Sequence, residues 1–420
     1  MSRLFDKEIL AAVCAGCALF FSLSAARAQS PSPWVMFTPA TVSSGANAKL
    51  QRMVGETWAD YVEEINHPEP AKGGAALYLT SPAGNFFAAA NMSDAGPDIH
   101  FRPASITKTF TAAAIMLLHQ RGELNIDDLV TARAPRKGIT YLPDSNDYNI
   151  PNKNRITIRS LLNHTAGVFD IENNDIPAQA PCPFAGMDYI GDIADQNPSH
   201  QFTFDELAGV VAACQIKSSD PWQHEFHYSD TGYSLLGKII EQVSGMSYSD
   251  FILNNLVKPN GLNNTFSPHN AFDTAMPVPA PQAYVLLDRQ VMEVDERNMS
   301  AGVANGNIIS TPADLAKWIK LLITGKAGIE KSYVNMMTDC TIPEGAESCY
   351  GLGLFKYEYF GYGHTGGTDG FLSFMAYDPD QDVATTVFFT LYNGNDIAGE
   401  FLPAYWMVFN AKTILGSTTN

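Results

Sequence analysis

Residues 105–118 read SITKTFTAAAIMLL, and this stretch decides how the rest of the chain is interpreted. From Phe110 onward it is almost entirely apolar, which predicts a buried helix that ends near Gly122. Ser105 and Lys108 lie three positions apart at its start, and residues i and i+3 share one face of a helix. The sequence therefore predicts that the Lys108 amine lies beside the Ser105 hydroxyl.

This serine and lysine form a candidate catalytic pair. A serine hydroxyl is a poor nucleophile until a neighbouring group takes its proton. A lysine held in apolar surroundings can lose its charge and accept that proton. Backbone N–H groups at the helix N-terminus would also stabilise an oxyanion beside Ser105. A lone S-x-x-K pattern is weak, however, because serine at a helix start is more often a cap.

A tyrosine motif lies in the middle of the chain. Tyr228-Ser229-Asp230 precedes a helix predicted over Gly232–Ser244, so the motif lies on a loop at a helix start. A phenol close to a lysine cation is easier to deprotonate than a free phenol. Tyr228 is therefore a candidate proton relay.

A histidine–glycine motif follows nearer the C-terminus. His364-Thr365-Gly366-Gly367 leads into a strand predicted over Gly370–Tyr377. Glycines let a backbone approach a substrate closely, and His364 is a candidate cation or donor for steering a substrate carboxylate. The chain has no G-x-S-x-G motif, which argues against an α/β-hydrolase.

The N-terminus predicts export. Residues 1–28 combine basic Arg3 and Lys7, an apolar run over Ile9–Leu23 and a small-residue cleavage site, as a secretory signal does. The run is too short for a good transmembrane helix, so we expect a periplasmic or secreted protein with no stable membrane span. The formal net charge of −18 disfavours nucleic acid and anionic membrane surfaces as partners.

Four cysteines remain after the signal, and an even count in an exported chain suggests disulfides. Of the three possible arrangements, the pairs Cys182–Cys214 and Cys340–Cys349 close the shortest loops, and free buried thiols are the alternative. No closely spaced Cys/His set suggests a metal site, and no cofactor is expected.

The predicted strands lie at both ends of the chain, over residues 75–79, 86–90, 351–357, 370–377 and 383–391. Between them, from Leu124 to about Pro281, helical patterns alternate with Pro-, Asn- and Gly-rich loops. The fold class is therefore α+β: an antiparallel sheet flanked by helices, with an inserted all-helical lobe. We expect residues 29–125 and 296–420 to form the sheet domain and 126–295 the helical domain, with the active site in the cleft between them.

Taken together, the three motifs resemble those of the serine β-lactamase and D-alanyl-D-alanine carboxypeptidase superfamily, in its class C β-lactamase-like branch with H-x-G. Three further runs resemble the family: LLNHTAG at 161–167, NGNIISTPADL at 305–315 and YGLGL at 350–354. The resemblance covers most of the mature chain and implies a β-lactamase/transpeptidase-like fold. From its own pattern, the 161–167 run is better explained as structural, with His164 a buried donor.

The resemblance also implies residue roles. Ser105 would be the acylated nucleophile, Lys108 its proton partner and Tyr228 the general base or relay. The backbone N–H groups of Ser105 and Gly367 would form the oxyanion hole. Asp230, His364, Thr365 and Gly366 would contact the substrate.

Two residues depart from the family pattern. Asp230 stands where the second motif usually ends in Asn, and a carboxylate accepts hydrogen bonds but cannot donate them. Phe355 follows the YGLGL run, where related carboxypeptidases often carry an arginine that holds the substrate's terminal carboxylate.

The sequence therefore predicts an exported serine hydrolase that acts through an acyl-enzyme, as a D-Ala-D-Ala carboxypeptidase or related D-peptidase. Its substrate would be a small molecule or peptide: a cell-wall peptide, a β-lactam or an ester. The alternatives are a class C-type β-lactamase, an esterase for small esters and a penicillin-binding-like sensor or scaffold without turnover.

Overall fold

The structure is a computed structural model that describes residues 44–65, 72–92, 95–294, 296–343, 346–394 and 401–416. The predicted signal, residues 1–28, lies outside these described residues. Within them, none of the helices is both long enough and apolar enough to cross a membrane.

The framework is an antiparallel sheet with the strand order β2-β1-β9-β8-β7-β6-β5. Its central strands are buried along their whole length, so both faces of the sheet are covered. The strands are β1 (Ala75–Ser81), β2 (Gly84–Ala90), β5 (Ser348–Tyr350), β6 (Phe355–Tyr357), β7 (Gly361–Thr368), β8 (Phe371–Asp378) and β9 (Val383–Phe389).

Helices from the two ends of the described chain cover one face of this sheet. They are α1 (Ser44–Glu64) and α10 (Leu402–Gly416), which pack against each other and on the strands. Their apolar residues share one core with the strands beneath them. The other face carries α8 (Pro312–Ile323), and α2 (Thr107–Gln120) is buried in the same core as α8 and the inserted lobe.

The inserted lobe is mostly helical. It contains α3 (Ile158–Leu162), α4 (Tyr189–Gln196), α5 (Phe204–Cys214), α6 (Asp230–Ser244) and α7 (Tyr248–Ile252). Side chains at the helix starts stop the chain from fraying: Thr203 accepts a hydrogen bond from the Glu206 backbone, and Ser229 accepts one from Gly232. Helix α6 contacts α2, which places the tyrosine motif beside the serine–lysine pair.

The α+β architecture predicted from the sequence is confirmed, with local differences. A hairpin, β3 (Ala283–Leu287) and β4 (Gln290–Val294), lies inside the segment predicted to be helical. Strand β3 pairs in parallel with β10 (Leu391–Asn393), a long-range partner that local patterns do not reveal. Helices α4 and α9 (Lys331–Thr338) were not predicted, and the strand predicted over 351–357 is interrupted between β5 and β6.

Both predicted disulfides are present. Cys182 pairs with Cys214 at the end of α5, and Cys340 pairs with Cys349 in β5. Each closes a short loop, as the pairing of neighbours in the sequence predicted. One bridge holds a loop of the lobe to a helix, and the other holds the sheet edge to the segment after α9.

Candidate active site

The turn directly before α2 carries the candidate nucleophile. A single turn of 3₁₀-helix, Ala104–Ile106, precedes α2, and Ala104 adopts a left-handed backbone with φ of 48°. This conformation costs an L-residue about 1–2 kcal/mol. Ser105 remains partly exposed while the following residues are buried. The Lys108 Nζ donates to the Ser105 Oγ at 3.0 Å, so the predicted contact between the two side chains is present.

Lys108 is fully buried and has several other partners. Its Nζ donates to the backbone oxygen of Asn305 at 3.0 Å and lies 2.5 Å from the Asp230 Oδ1. The contact with Asp230 has the distance of an ion pair but not the angles of a hydrogen bond. The ring centroids of Tyr228 and Tyr233 lie 4.8 and 5.5 Å from the same nitrogen. The lysine cation is thus held by a carboxylate, a carbonyl and two aromatic rings.

Asp230 begins helix α6, and a loop packed on that helix start holds it in place. Its backbone N–H donates to the Asp170 Oδ2 at 3.1 Å. Its Oδ2 accepts from the Asn173 Nδ2 at 2.9 Å. The Ile171 N–H donates to the Thr231 hydroxyl at 3.1 Å. Residues 170–173, here called the acidic loop, therefore position the carboxylate that pairs with Lys108.

The acidic loop brings two more carboxyl groups close to Asp230. Burial, together with the negative charge of Asp230, raises the pKa of Asp170 to about 6. The same causes raise the pKa of Glu172 well above its usual value. Among the described residues, no group of His, Cys, Asp and Glu has the arrangement of a metal site.

Glu172 is connected to Lys108 through Asn305. The Asn305 Nδ2 lies 3.0 and 2.9 Å from the two oxygens of Glu172, and Ser234 Oγ donates to Oε1 at 3.1 Å. The backbone oxygen of Asn305 accepts from Lys108. Glu172 thus fixes the residue whose carbonyl holds the lysine. None of the acidic-loop residues was predicted, because they form no recognisable motif and only folding brings them to the site.

His164, interpreted as structural from the sequence, lies directly against the tyrosine motif. Its ring stacks on that of Tyr228 at a centroid distance of 4.2 Å. Its Nδ1 accepts from the Ser229 N–H at 3.1 Å, which requires that nitrogen to be unprotonated. Burial, and then the nearby Lys108 cation, lowers the pKa of His164 well below its usual range. A neutral imidazole therefore supports the Tyr228 ring.

Strand β7 forms the sheet side of the site, across from the lobe residues described above. A Cβ at Gly366 would overlap the carbonyl oxygen of Pro103, two residues before the nucleophile. The Ser373 hydroxyl, which has one hydrogen to donate, lies 2.9 Å from Pro103 O and 3.2 Å from Gly366 O and so links the two segments. Only glycine at 366 lets β7 lie directly beside the Ser105 turn. The backbone of Gly367 follows at once along this strand.

His364 lies in β7 but is buried, with both ring nitrogens occupied. Its Nδ1 contacts the Thr365 carbonyl at 2.5 Å, and its Nε2 contacts the Tyr350 hydroxyl at 3.1 Å. Burial, followed by the Lys108 charge, lowers the pKa of His364 to about 3. Phe355, which stands where related carboxypeptidases often have arginine, packs edge-on against the same ring at 5.3 Å. The imidazole is neutral here, whereas the sequence had suggested a donor or cation for a substrate carboxylate.

The predicted site residues thus come together from three parts of the chain. Ser105 comes from the 3₁₀ turn before α2 and Lys108 from the first turn of α2, Tyr228 and Asp230 come from the loop and first residue of α6, and the glycine motif comes from β7. The rings of Tyr228 and His364 lie 6.5 Å apart, so the lobe and the sheet meet at this point.

Comparison with known proteins identifies this arrangement. The sequence model of the Beta-lactamase family matches residues 65–400. The chain belongs to the Beta-lactamase family. Its members include serine hydrolases, which agrees with the serine–lysine pair and with the resemblance found in the sequence.

Among curated proteins, the chain is 29% identical over 326 residues to penicillin-binding protein 4* of Bacillus subtilis (strain 168). The match covers 73% of this chain and 63% of that protein. The putative penicillin-binding protein PbpX of the same strain is 30% identical over 62% of this chain and 54% of its own length. The chain therefore spans little more than half the length of these relatives.

Among solved structures, a D-stereospecific amidohydrolase from Streptomyces sp. superposes with a TM-score of 0.68 and 27% identity. It covers 86% of this chain and 97% of its own. The D-amino acid amidase from Ochrobactrum anthropi SV3 superposes with a TM-score of 0.67 over 88% and 99% of the two chains, at 23% identity. The second similarity shows the shared fold.

Proposed function

We propose that this protein is an exported serine hydrolase that forms an acyl-enzyme on Ser105 and acts on D-amino-acid peptides or amides. The observation that carries the proposal is the buried Lys108 cation, which contacts both the Ser105 hydroxyl and the Asp230 carboxylate. A surface serine cap would need no such partner. The D-Ala-D-Ala carboxypeptidase reaction is one member of this class.

In the proposed reaction, Ser105 Oγ attacks the substrate carbonyl carbon and forms an ester. Because Lys108 is paired with the Asp230 carboxylate, the lysine acts mainly as a fixed positive charge. Tyr228, whose ring lies 4.8 Å from that cation, takes the serine proton and passes it to the leaving amine. A water molecule then attacks the ester carbonyl. Tyr228 takes a proton from that water and passes it to Ser105 Oγ, which releases the acid and restores the serine hydroxyl.

The oxyanion formed during attack would be held by the backbone N–H groups of Ser105 and Gly367. The close approach of Gly366 to Pro103 supports this assignment, because it brings the β7 backbone beside the Ser105 turn. Fixed backbone donors that need no reorganisation are an effective way to stabilise developing negative charge.

The substrate proposal is supported by the relatives and by the charges of the site. A D-stereospecific amidohydrolase and penicillin-binding proteins are among the proteins this chain is similar to. His364 is neutral and Phe355 replaces the arginine, so neither provides a cation for a C-terminal carboxylate. Within the class, these features favour D-amino-acid amides and internal D-peptide bonds over substrates that need a terminal carboxylate to be held.

Export is supported by the predicted signal at residues 1–28 and by the two disulfides, which persist in oxidising compartments. A periplasmic or secreted location follows from this part of the proposal. A β-lactamase, a small-ester hydrolase and a sensor without turnover are the alternatives, and the test below separates the sensor from the hydrolases.

The test is covalent labelling followed by intact-mass measurement. A fluorescent penicillin or an activated phosphonate should add to wild type and to the control Ser332→Ala, which changes an exposed serine in α9, but not to Ser105→Ala. Labelling that persists in Ser105→Ala would contradict the assignment of the nucleophile. Release of the label with turnover of D-amino-acid amides supports the hydrolase, whereas a permanent label without turnover of any substrate indicates the sensor.

A further inference from the structure

Two arginines meet at one carbonyl oxygen near the end of strand β7. Arg102, three residues before Ser105, is 3% exposed, and its Nη2 donates to the backbone oxygen of Thr274 at 2.6 Å. The backbone N–H of Arg297 donates to the same oxygen at 3.3 Å. Arg297 Nη1 also pairs with the carboxylate of Asp369, in the turn after β7. The Arg297 side chain is 38% exposed, so the two cations extend from the interior to the surface.

Among the described residues, no carboxylate pairs with the buried charge of Arg102, and its Nη1 has no hydrogen-bond partner. The Glu296 carboxylate accepts from the Thr274 hydroxyl at 2.6 Å instead. Burial, followed by the charge of Arg297, lowers the pKa of Arg102 to about 10. A buried cation without a partner is unfavourable. An anion bound beside the two arginines would therefore stabilise them.

The arginine pair lies within reach of a substrate that is bound at the nucleophile. Asp369 comes two residues after Gly367, the proposed oxyanion donor. Because extended residues are spaced about 3.3 Å apart, the two positions are separated by no more than about 7 Å. Arg297 contacts Asp369 directly. A substrate group about two residues away from the scissile carbonyl therefore reaches Arg297.

The proposed reaction determines which part of the substrate lies there. Tyr228 passes its proton to the leaving amine, and its ring lies 6.5 Å from that of His364. His364 comes three residues before Gly367 in the chain, whereas Asp369 comes two residues after it. The leaving group therefore lies toward His364, and the acyl part of the substrate lies toward Asp369 and Arg297.

We propose that Arg297, with the buried charge of Arg102 beside it, is a specificity-determining residue that binds a carboxylate on the acyl part of the substrate. The inference rests on the proposed acyl-enzyme function and adds a feature of the substrate, an acidic group about two residues before the scissile bond. A guanidinium matches a carboxylate with two parallel hydrogen bonds. Asp369 pairs with Arg297 in the free protein and competes with the substrate for it.

The experiment compares N-succinyl-D-alanine p-nitroanilide with its succinamoyl analogue, in which a neutral carboxamide replaces the carboxylate. This carboxylate lies the length of about two residues, or about 7 Å, from the scissile carbonyl. Wild type should have the higher kcat/KM for the acid, by at least about tenfold, because hydrogen bonds between charged groups are among the stronger ones. In Arg297→Gln the ratio should come within about threefold of one, mainly through a higher KM for the acid.

Asp369→Asn separates binding from a structural role of the ion pair. It removes the competing carboxylate, so the preference for the acid should rise above that of wild type, whereas a purely structural ion pair would be broken equally by both variants. Arg159→Gln is the matched control, since Arg159 is 35% exposed and pairs with Asp127 in the lobe. Its ratio should equal that of wild type. A ratio that persists in Arg297→Gln or falls in Asp369→Asn would overturn the inference.

Free succinate distinguishes a substrate carboxylate from a free anion. It should inhibit hydrolysis of the succinamoyl analogue only at concentrations above the KM of the succinyl substrate, because it lacks the D-alanyl part. Inhibition at lower concentrations would assign the arginines to a free anion and overturn their role in substrate binding.

The proposed function and this inference fail in different ways. If wild type labels on Ser105 and hydrolyses both anilides equally, the hydrolase stands and the inference is wrong. If wild type hydrolyses neither anilide, the inference is wrong, and the absence of a label on Ser105 would contradict the proposed function as well. Arg102→Gln should also lower the ratio. Melting curves show which variants are folded, and the Arg297 and Asp369 variants decide the inference if Arg102→Gln does not fold.

Discussion

The two walls of the site are built by different means. On the sheet side, β7 contributes backbone and glycine residues, and its histidine, His364, is buried and neutral. On the lobe side, Lys108 is surrounded by carboxyl groups on α6 and the acidic loop, and two of those carboxyl groups have raised pKa values. One wall is defined by shape and the other by charge.

This difference indicates which substitutions each side of the site tolerates. On the sheet side, replacing a glycine by a larger residue should reduce activity, because there is no space for the added side chain. This loss of activity should not depend on pH. A charged wall keeps its shape when an isosteric residue is substituted, but its proton equilibria and its choice of substrate change. Each of the following predictions tests one wall against the other.

The largest effect is expected on the charged wall. Tyr228→Phe removes the proposed proton carrier and Lys108→Ala removes the cation beside it, so each should slow acylation of Ser105 by about 10²–10⁴-fold, the contribution of positioned proton transfer. Stopped-flow labelling with a fluorescent penicillin measures the rate. Acylation within a few-fold of wild type in either variant would show that another group transfers the proton.

A steric change on the backbone wall should have the next largest effect. Gly366→Ala places a Cβ against the Pro103 carbonyl oxygen, so β7 must move away from the Ser105 turn. We expect about a 10²-fold loss of kcat, since small displacements of reacting groups have effects of this order. The loss should be the same at every pH.

Gly209→Ala in α5 is the matched control for this change. Its new Cβ meets Asp147 Oδ1 at 3.5 Å, an ordinary contact, so kcat should remain near wild type. Full activity of Gly366→Ala would show that β7 does not need to touch the Pro103 segment.

Asp230→Asn changes the charged wall without changing its shape. It restores an amide donor at the second motif, and such a donor contributes on the order of 1–3 kcal/mol in a dry site. We expect higher kcat/KM for β-lactams and D-Ala-D-Ala peptides, with little gain for p-nitrophenyl esters, which are easier to acylate from. Loss of peptide activity in the Asn variant would show that Asp230 takes part in catalysis itself.

The smallest effect concerns stability and the neutral histidine on the sheet side. With a pKa of about 3 when folded, against about 6.5 when unfolded, His364 binds a proton only in the unfolded chain over this range. Folding stability should therefore fall as the pH drops from 6.5, by up to about 1.4 kcal/mol per pH unit from this residue. Denaturant unfolding of wild type and His364→Gln at pH 7.5 and pH 5 measures the difference.

In His364→Gln the part of the pH dependence that comes from this residue should disappear. His269→Gln, at an exposed histidine, should keep the wild-type dependence. Equal slopes in wild type and His364→Gln would mean that the imidazole on the sheet side is protonated as easily as a free one.

Patterns local to the chain predicted the elements that have strong periodicity or a turn between them. The hairpin of β1 and β2, the helix α6 and both disulfides lie where the sequence placed them. The hairpin of β3 and β4 was missed because β3 pairs with β10, more than a hundred residues away. Within the neighbouring sequence, β3 and β4 pair only with each other.

At the candidate site, the i, i+3 spacing alone was enough to place Lys108 beside Ser105, because helix geometry is independent of the rest of the fold. The motif order and the family resemblance indicated that Tyr228, Asp230 and the glycine motif belong to the same site. These are properties of residue type and spacing, which the chain carries before it folds.

The tertiary structure alone decided the charges and the contacts between segments. His364 is neutral because folding buries it beside Lys108, and no sequence pattern records burial. The acidic loop reaches Asp230 only because residues 170–173 pack on the start of α6, and Asn173 acquires a fixed orientation from carboxylates 3 and 57 residues away. Local geometry sets which groups are available, whereas desolvation and long-range contacts set what those groups can do.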